Sequence, residues 1–114
     1  MTRTYTRNGG LSSLSEPEKQ TVFECLRAAS DGPFFPDWEF HTLFGLERDQ
    51  VRRIAAAIPH IDDSSKEVAL AINNAMAHLT GYPRHQEAVW SQFISVPEEE
   101  VDRVFTKWRG DAVI

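Results

Sequence analysis

The chain has 114 residues, a net charge of -5 and a single cysteine. A chain of this length forms one domain that buries roughly two-thirds of its unfolded surface, so it needs no disulfide, metal or cofactor to fold. The lone cysteine cannot form an intramolecular bridge, and no apolar run approaches the roughly 20 residues of a membrane span. We therefore expect a cytoplasmic protein, and the acidic balance disfavours a polyanionic partner.

The N-terminal residues 1–13 are polar and contain a Gly-Gly pair, which predicts a flexible tail. A single helical domain is predicted to follow over residues 14–114. Ser15 and Glu18 have the spacing of a capping box, in which each side chain binds the other residue's backbone amide at a helix start. The first helix is therefore predicted over residues 16–30.

Five more segments have apolar residues at helical spacing, with serine, proline or glycine at their ends. Capping boxes recur at Ser64–Glu67 and Ser95–Glu98, and glycine stops are predicted at Gly45, Gly81 and Gly110. The segments are residues 38–44, 47–58, 65–80, 84–94 and 96–109. Because none of the chain alternates between apolar and polar residues, we predict an all-α protein, a compact irregular or orthogonal bundle of about six short helices.

An aromatic cluster lies between the first and second predicted helices and extends into the second. Phe34 and Phe35 precede Pro36, a position that favours extended backbone, and side chains alternate direction along an extended chain. Both rings are therefore hard to place in one core, and Trp38 lies on a different side of the short helix from Phe40. At least one ring should be exposed or covered by a second chain, so Phe34, Phe35 and Trp38 form a candidate partner-binding surface. The alternative is that the tail or a neighbouring loop covers them.

Apolar residues around Gly45 have the spacing of a DNA-reading motif. The positions are Phe40, Phe44, Leu46, Val51 and Ile54. On this pattern the segment from Phe40 to Ile58 resembles a helix-turn-helix unit. The resemblance implies that Arg48, Arg52 and Arg53 contact nucleic acid. His41 and Glu47 depart from the motif, which usually has a small residue and a serine or threonine at these positions. An ordinary helical corner is the alternative, with the arginines paired to nearby carboxylates.

The fourth predicted helix is apolar almost all round, which is typical of a helix buried on several sides. Asn73 and Asn74 must then find hydrogen-bond partners in or beside the core, most simply at helix ends or loop carbonyls. The other possibility is a polar pocket formed by Asn74, His78 and Arg84.

Catalytic motifs are absent from the sequence. It contains no glycine-rich phosphate loop, no metal-ligand spacing and no nucleophile motif, and Cys25 lies on an apolar helix face. We therefore expect a non-enzymatic regulatory or accessory module that binds another protein or itself. The alternative hypothesis is a DNA-binding regulator of the helix-turn-helix type.

Overall fold

The computed structural model describes residues 10–58, 65–81 and 87–110, and the regular structure in these ranges is entirely helical. A 3₁₀ turn, Leu11–Ser13, precedes six α-helices. These are α1 (Glu16–Asp31), α2 (Asp37–Phe44), α3 (Arg48–Ala57), α4 (Lys66–Gly81), α5 (Glu87–Phe93) and α6 (Glu98–Arg109). The predicted all-α bundle of short helices is confirmed, and each helix lies within a few residues of its predicted range. No described helix has both the length and the apolar character needed to cross a bilayer.

The predicted capping box begins α1. The Ser15 hydroxyl accepts a hydrogen bond from the Glu18 amide at 3.3 Å, and the Ser15 amide donates to the Glu18 carboxylate at 2.8 Å. Pro17 occupies the first turn, where its missing N–H leaves no intrahelical bond unmade. The local sequence is therefore sufficient to fix this helix start.

Two of the predicted glycine stops are also observed. Gly45 and Gly110 have left-handed backbone with φ of 71° and 74°, and they end α2 and α6. This conformation is costly for residues with a Cβ atom, which explains glycine at both sites. Gly81 is the last residue of α4.

The predicted helix start at Ser95 is wrong. The structure begins α6 at Glu98, with Pro97 before it and no side-chain cap. Ser95 binds Glu24 of α1 instead, through its amide at 2.8 Å and its hydroxyl at 3.0 Å. The Ser95 hydroxyl therefore binds a carboxylate that is distant in sequence, instead of capping the first turn of α6 as the local pattern predicts. The third predicted box includes Ser64, which lies outside the described residues.

Helix α4 is central to the bundle, as its composition predicts. It packs against α1, α6, α2 and α3. Its buried residues include Val68, Ala71, Ile72, Ala75, Met76 and Leu79. Because these residues face several directions around the helix, α4 supplies the surface on which the other helices are arranged.

The fold includes residues ahead of the predicted domain boundary at residue 14. Leu11 is buried in the core, and the Gly10 amide donates a hydrogen bond of 2.6 Å to the Trp108 carbonyl near the end of α6. The predicted tail is therefore too long at its C-terminal end, because a turn after the Gly-Gly pair returns an apolar side chain to the core.

A buried carboxylate joins α1 to α6. The Glu18 side chain contacts Arg103 at 3.0 Å and Lys107 at 2.9 Å, in addition to the Ser15 amide. The pKa of Glu18 is lowered to about 2. The largest cause is the hydrogen bond from the Ser15 amide, and the next is the hydrogen bond from Lys107. The ionised form is therefore the one that fits the fold.

Candidate protein-binding surface

Helix α2 presents one large apolar side chain to solvent. Trp38 is 79% exposed, and it is the only large hydrophobic residue so exposed within the described ranges. Phe40 and Phe44, on the inward face of α2, are buried and stack at a centroid distance of 4.4 Å. The inward face anchors the helix, so Trp38 projects from a fixed support.

The two phenylalanines before α2 do not belong to this surface, and the prediction that included them is corrected. Phe34 and Phe35 are only 4% and 3% exposed. Phe34 packs edge-on against Trp90 of α5 at 6.3 Å, whereas Phe35 packs against Phe44 of α2 at 5.3 Å. The two rings do enter the core in different places, because their segment lies between α5 on one side and α2 on the other.

Carboxylates flank Trp38 along α2 and at the turn after it. Asp37 precedes Trp38 and has a side chain that is 93% exposed. Glu39 follows it and is partly exposed. One turn further along the helix, exposed His41 binds the Glu47 carboxylate at 2.7 Å. Carboxylates therefore lie beside Trp38 in the sequence and at the turn after α2, and two of them, Asp37 and Glu47, are paired with Arg48 and His41.

Arg48, one of the predicted nucleic-acid contacts, is held inside the protein. Its guanidinium donates to the Ser30 carbonyl at 3.1 Å and to the Phe35 carbonyl at 3.0 Å. It also binds Asp37 at 2.7 Å, lies 4.5 Å from the Phe40 ring centroid, and has only 23% of its side chain exposed. These bonds satisfy carbonyls at the end of α1 and in the following turn, so Arg48 is a structural residue rather than an open phosphate contact.

Arg52 has a similar structural role, whereas Arg53 does not. Arg52 binds Asp31 at 2.8 Å and the Ser30 carbonyl at 3.2 Å, and it pairs with Asp49 in its own helix. A cation at the C-terminus of α1 also complements the helix dipole. Arg53 is exposed and makes no hydrogen bond or ion pair within the described part of the chain. Of the three predicted arginines, only Arg53 is open to a ligand.

The segment that resembles a helix-turn-helix forms a corner whose helices pack on different neighbours. All five apolar positions of the pattern are buried, as the resemblance requires. However, α3 packs chiefly on α1, whereas α2 packs chiefly on α4. The apolar spacing is thus explained by burial in the bundle, since it arises wherever two helices meet at a glycine turn.

Two polar residues of α4, Asn74 and His78, contact the end of α2. The Asn74 side-chain amide donates to the Phe44 carbonyl at 2.9 Å, and His78 Nε2 lies 2.9 Å from the Leu43 carbonyl oxygen. These contacts satisfy carbonyls that a helix end leaves without intrahelical partners. The prediction that the asparagines bond helix ends is therefore correct for Asn74. Arg84, the third residue of the alternative pocket, lies outside the described residues.

The described residues offer few groups with unusual reactivity. Cys25 is fully buried, and burial raises the pKa of its thiol well above the ordinary value. No three histidine, cysteine, aspartate or glutamate side chains come together as a metal site within the described ranges. The feature of the described surface that most resembles a functional site is therefore Trp38 with its flanking carboxylates.

The sequence alone identifies Trp38 and shows charged residues next to it. Asp37 and Glu39 flank Trp38 in the sequence itself. The contribution of Glu47 could not be seen, because it depends on the turn at Gly45, which brings Glu47 back to His41.

In comparisons with known proteins, no family model, no curated protein and no solved structure matches the chain.

Proposed function

We propose that the protein functions by binding another protein through the outer face of α2, with Trp38 at the centre of the contact. The observation that carries this proposal is the 79% exposure of Trp38 on a helix whose opposite face is anchored in the core. An exposed tryptophan leaves a large apolar area in water, and tryptophan is among the residues that most often dominate binding energy at protein interfaces.

The rigidity of the support also favours a binding role. Phe40 and Phe44 fix α2 from within, and Asn74 and His78 hold its C-terminal carbonyls. A side chain presented on a preorganised helix costs less conformational entropy on binding than one presented on a mobile loop.

The test uses Trp38→Ala with Thr42→Ala as its matched control. Thr42 is exposed one turn away on the same helix but offers little apolar surface. A partner captured by the wild-type chain would be identified, purified and titrated calorimetrically against all three proteins. We expect Trp38→Ala to weaken binding by about tenfold or more and Thr42→Ala to change it little, as for the central residue of an interface.

Sedimentation velocity over a range of protein concentrations would show whether the partner is a second copy of the chain. Self-association that Trp38→Ala abolishes would support the surface and identify the partner as the protein itself. The proposal would be overturned if Trp38→Ala bound the partner with wild-type affinity, or if Trp38→Ala formed the dimer as readily as the wild type.

A further inference from the structure

The protein repeatedly places its own arginines on aromatic rings. Arg48 lies 4.5 Å from the centroid of Phe40, and Arg109 lies 4.5 Å from that of Phe105. Arg48 also binds Asp37, so its guanidinium is held by a ring and by a carboxylate together. This combination is favourable because the ring face and the carboxylate both attract positive charge.

Trp38 has a carboxylate next to it in the sequence but, within the part of the chain that the structure describes, no cation on its ring. It makes no ring or cation contact within the described residues, and its indole is the aromatic group that binds cations best. Asp37 beside it remains 93% exposed although it binds Arg48. One helical turn after Trp38, His41 pairs with Glu47, whose side chain is a second exposed carboxylate.

The charge balance at this surface favours a cationic ligand over an anionic one. Asp37, Glu39 and Glu47 lie along or just after α2. Arg48 pairs with Asp37, and its other hydrogen bonds go inward to main-chain carbonyls, so the carboxylates outnumber the arginine at this surface. The whole chain carries a net charge of -5, which attracts a basic partner at long range.

We propose that the face formed by Trp38, Asp37 and Glu47 binds a basic segment of a partner protein, with an arginine or lysine side chain on the Trp38 indole and neighbouring cations at the two carboxylates. This inference rests on the proposed function and adds the chemical class of the partner to it. A second copy of the acidic chain is disfavoured as the occupant, because its own surface is rich in carboxylates.

The proposal can be tested with three short synthetic peptides of matched length and equal spacing. One contains arginine, one contains lysine, and one contains citrulline, which keeps the shape of arginine but has no charge. Fluorescence anisotropy of the labelled peptides would be measured against the full chain at low salt. We expect the arginine and lysine peptides to bind at least about fivefold more tightly than the citrulline peptide.

Three substitutions locate the binding. Trp38→Ala should weaken binding of the arginine peptide by about fivefold, and Trp38→Phe should weaken it less, because phenylalanine keeps an aromatic face. Thr42→Ala should leave the affinity unchanged. Raising NaCl from about 0.05 to about 0.5 M should weaken the wild-type interaction, because salt screens the attraction between exposed charges. Thermal melting of each variant confirms that the fold is retained.

Equal binding of the citrulline and arginine peptides would overturn the proposal, and so would wild-type affinity in Trp38→Ala. The proposed function has a separate outcome, because it is tested on the captured partner rather than on these peptides. The arginine and lysine peptides could bind no more tightly than the citrulline peptide while binding of the captured partner is still weakened by Trp38→Ala. In that case the surface binds protein through uncharged contacts, and only the proposal of a basic partner segment is overturned.

Discussion

Glu18 shows how a single carboxylate can connect distant parts of this chain. It closes the capping box of α1 and also binds Arg103 and Lys107 on α6. Such a group is costly to bury alone but favourable when each oxygen has a partner, and here both oxygens are bonded. Glu18 therefore stabilises the packing of α1 on α6 as well as the start of α1.

Replacing Glu18 with glutamine should destabilise the protein by about 1.5–3 kcal/mol at neutral pH, the range for hydrogen bonds to charged groups. The folded-state pKa of about 2 lies below the ordinary value of 4.5, so the stabilisation is complete above pH 4.5 and is lost as the pH falls toward 2. Urea unfolding of wild type and Glu18→Gln at several pH values would measure this difference.

The difference between the two proteins should shrink on acidification over that pH interval. Glu99→Gln is the matched control, because Glu99 is an exposed carboxylate of the first turn of α6. A difference between wild type and Glu18→Gln that stayed constant from pH 7 to pH 2 would show that the ionised form of Glu18 does not stabilise the fold.

The sequence revealed part of this arrangement but not all of it. The Ser15–Glu18 spacing predicts the capping box, because both partners lie within one turn of helix. The contacts to Arg103 and Lys107 depend on how α6 packs against α1, which local spacing does not encode. The inward position of Arg48 was missed for the same reason, since its carbonyl partners belong to α1 and the turn after it.

Among the elements, the corner between α2 and α3 depends on the backbone conformation of one glycine. Gly45 has φ of 71°, and a Cβ atom at this position would lie 3.2 Å from Leu70 Cδ2 on α4. Any other residue would therefore bring both backbone strain and a tight contact with the neighbouring helix.

Gly45→Ala should lower the free energy of unfolding by about 1 kcal/mol or more, because alanine rarely adopts left-handed backbone. Gly45→Asn should be less harmful, since asparagine tolerates this backbone although its Cβ meets Leu70 in the same way. Thermal or denaturant unfolding of the two variants separates the effects. Equal stability of Gly45→Ala and wild type would mean that the corner can adopt another backbone conformation.

Helix boundaries were predictable where the signals that define them are local. Glycine stops act through backbone conformation at one residue, so Gly45 and Gly110 were read correctly. The predicted start at Ser95 failed because Glu24, on a helix far away in sequence, binds that serine. The resemblance to a helix-turn-helix identified the buried positions of α2 and α3 correctly, but it could not show that the two helices pack on different neighbours.

At the scale of the whole molecule, the division between buried and exposed aromatic residues is what defines the candidate site. The aromatic cluster predicted an exposed ring, and composition alone could not select among Phe34, Phe35 and Trp38. That selection depends on α5, α2 and α4, which bury both phenylalanines and leave Trp38 outside.

The overall charge gives the last prediction, which tests the alternative hypothesis of DNA binding. A chain of net charge -5 whose Arg48 and Arg52 are bonded internally should not shift duplex DNA in a gel, even at low salt. Arg52→Ala should lower the melting temperature, because Arg52 binds the end of α1. Arg53→Ala should leave the melting temperature unchanged and is the control.

A salt-sensitive DNA complex that is lost in Arg53→Ala would restore the nucleic-acid hypothesis. Such a complex would have to rely on Arg53 and on residues outside the predicted set.

The bond between the Gly10 amide and the Trp108 carbonyl has a mechanical consequence. It places the beginning and the end of the described fold side by side, at the contact between the 3₁₀ turn and α6. A pulling force applied at Gly10 and Gly110, the first and last described residues, would load this contact directly. Separation of the 3₁₀ turn from α6 would then be the first step of forced unfolding of the described fold.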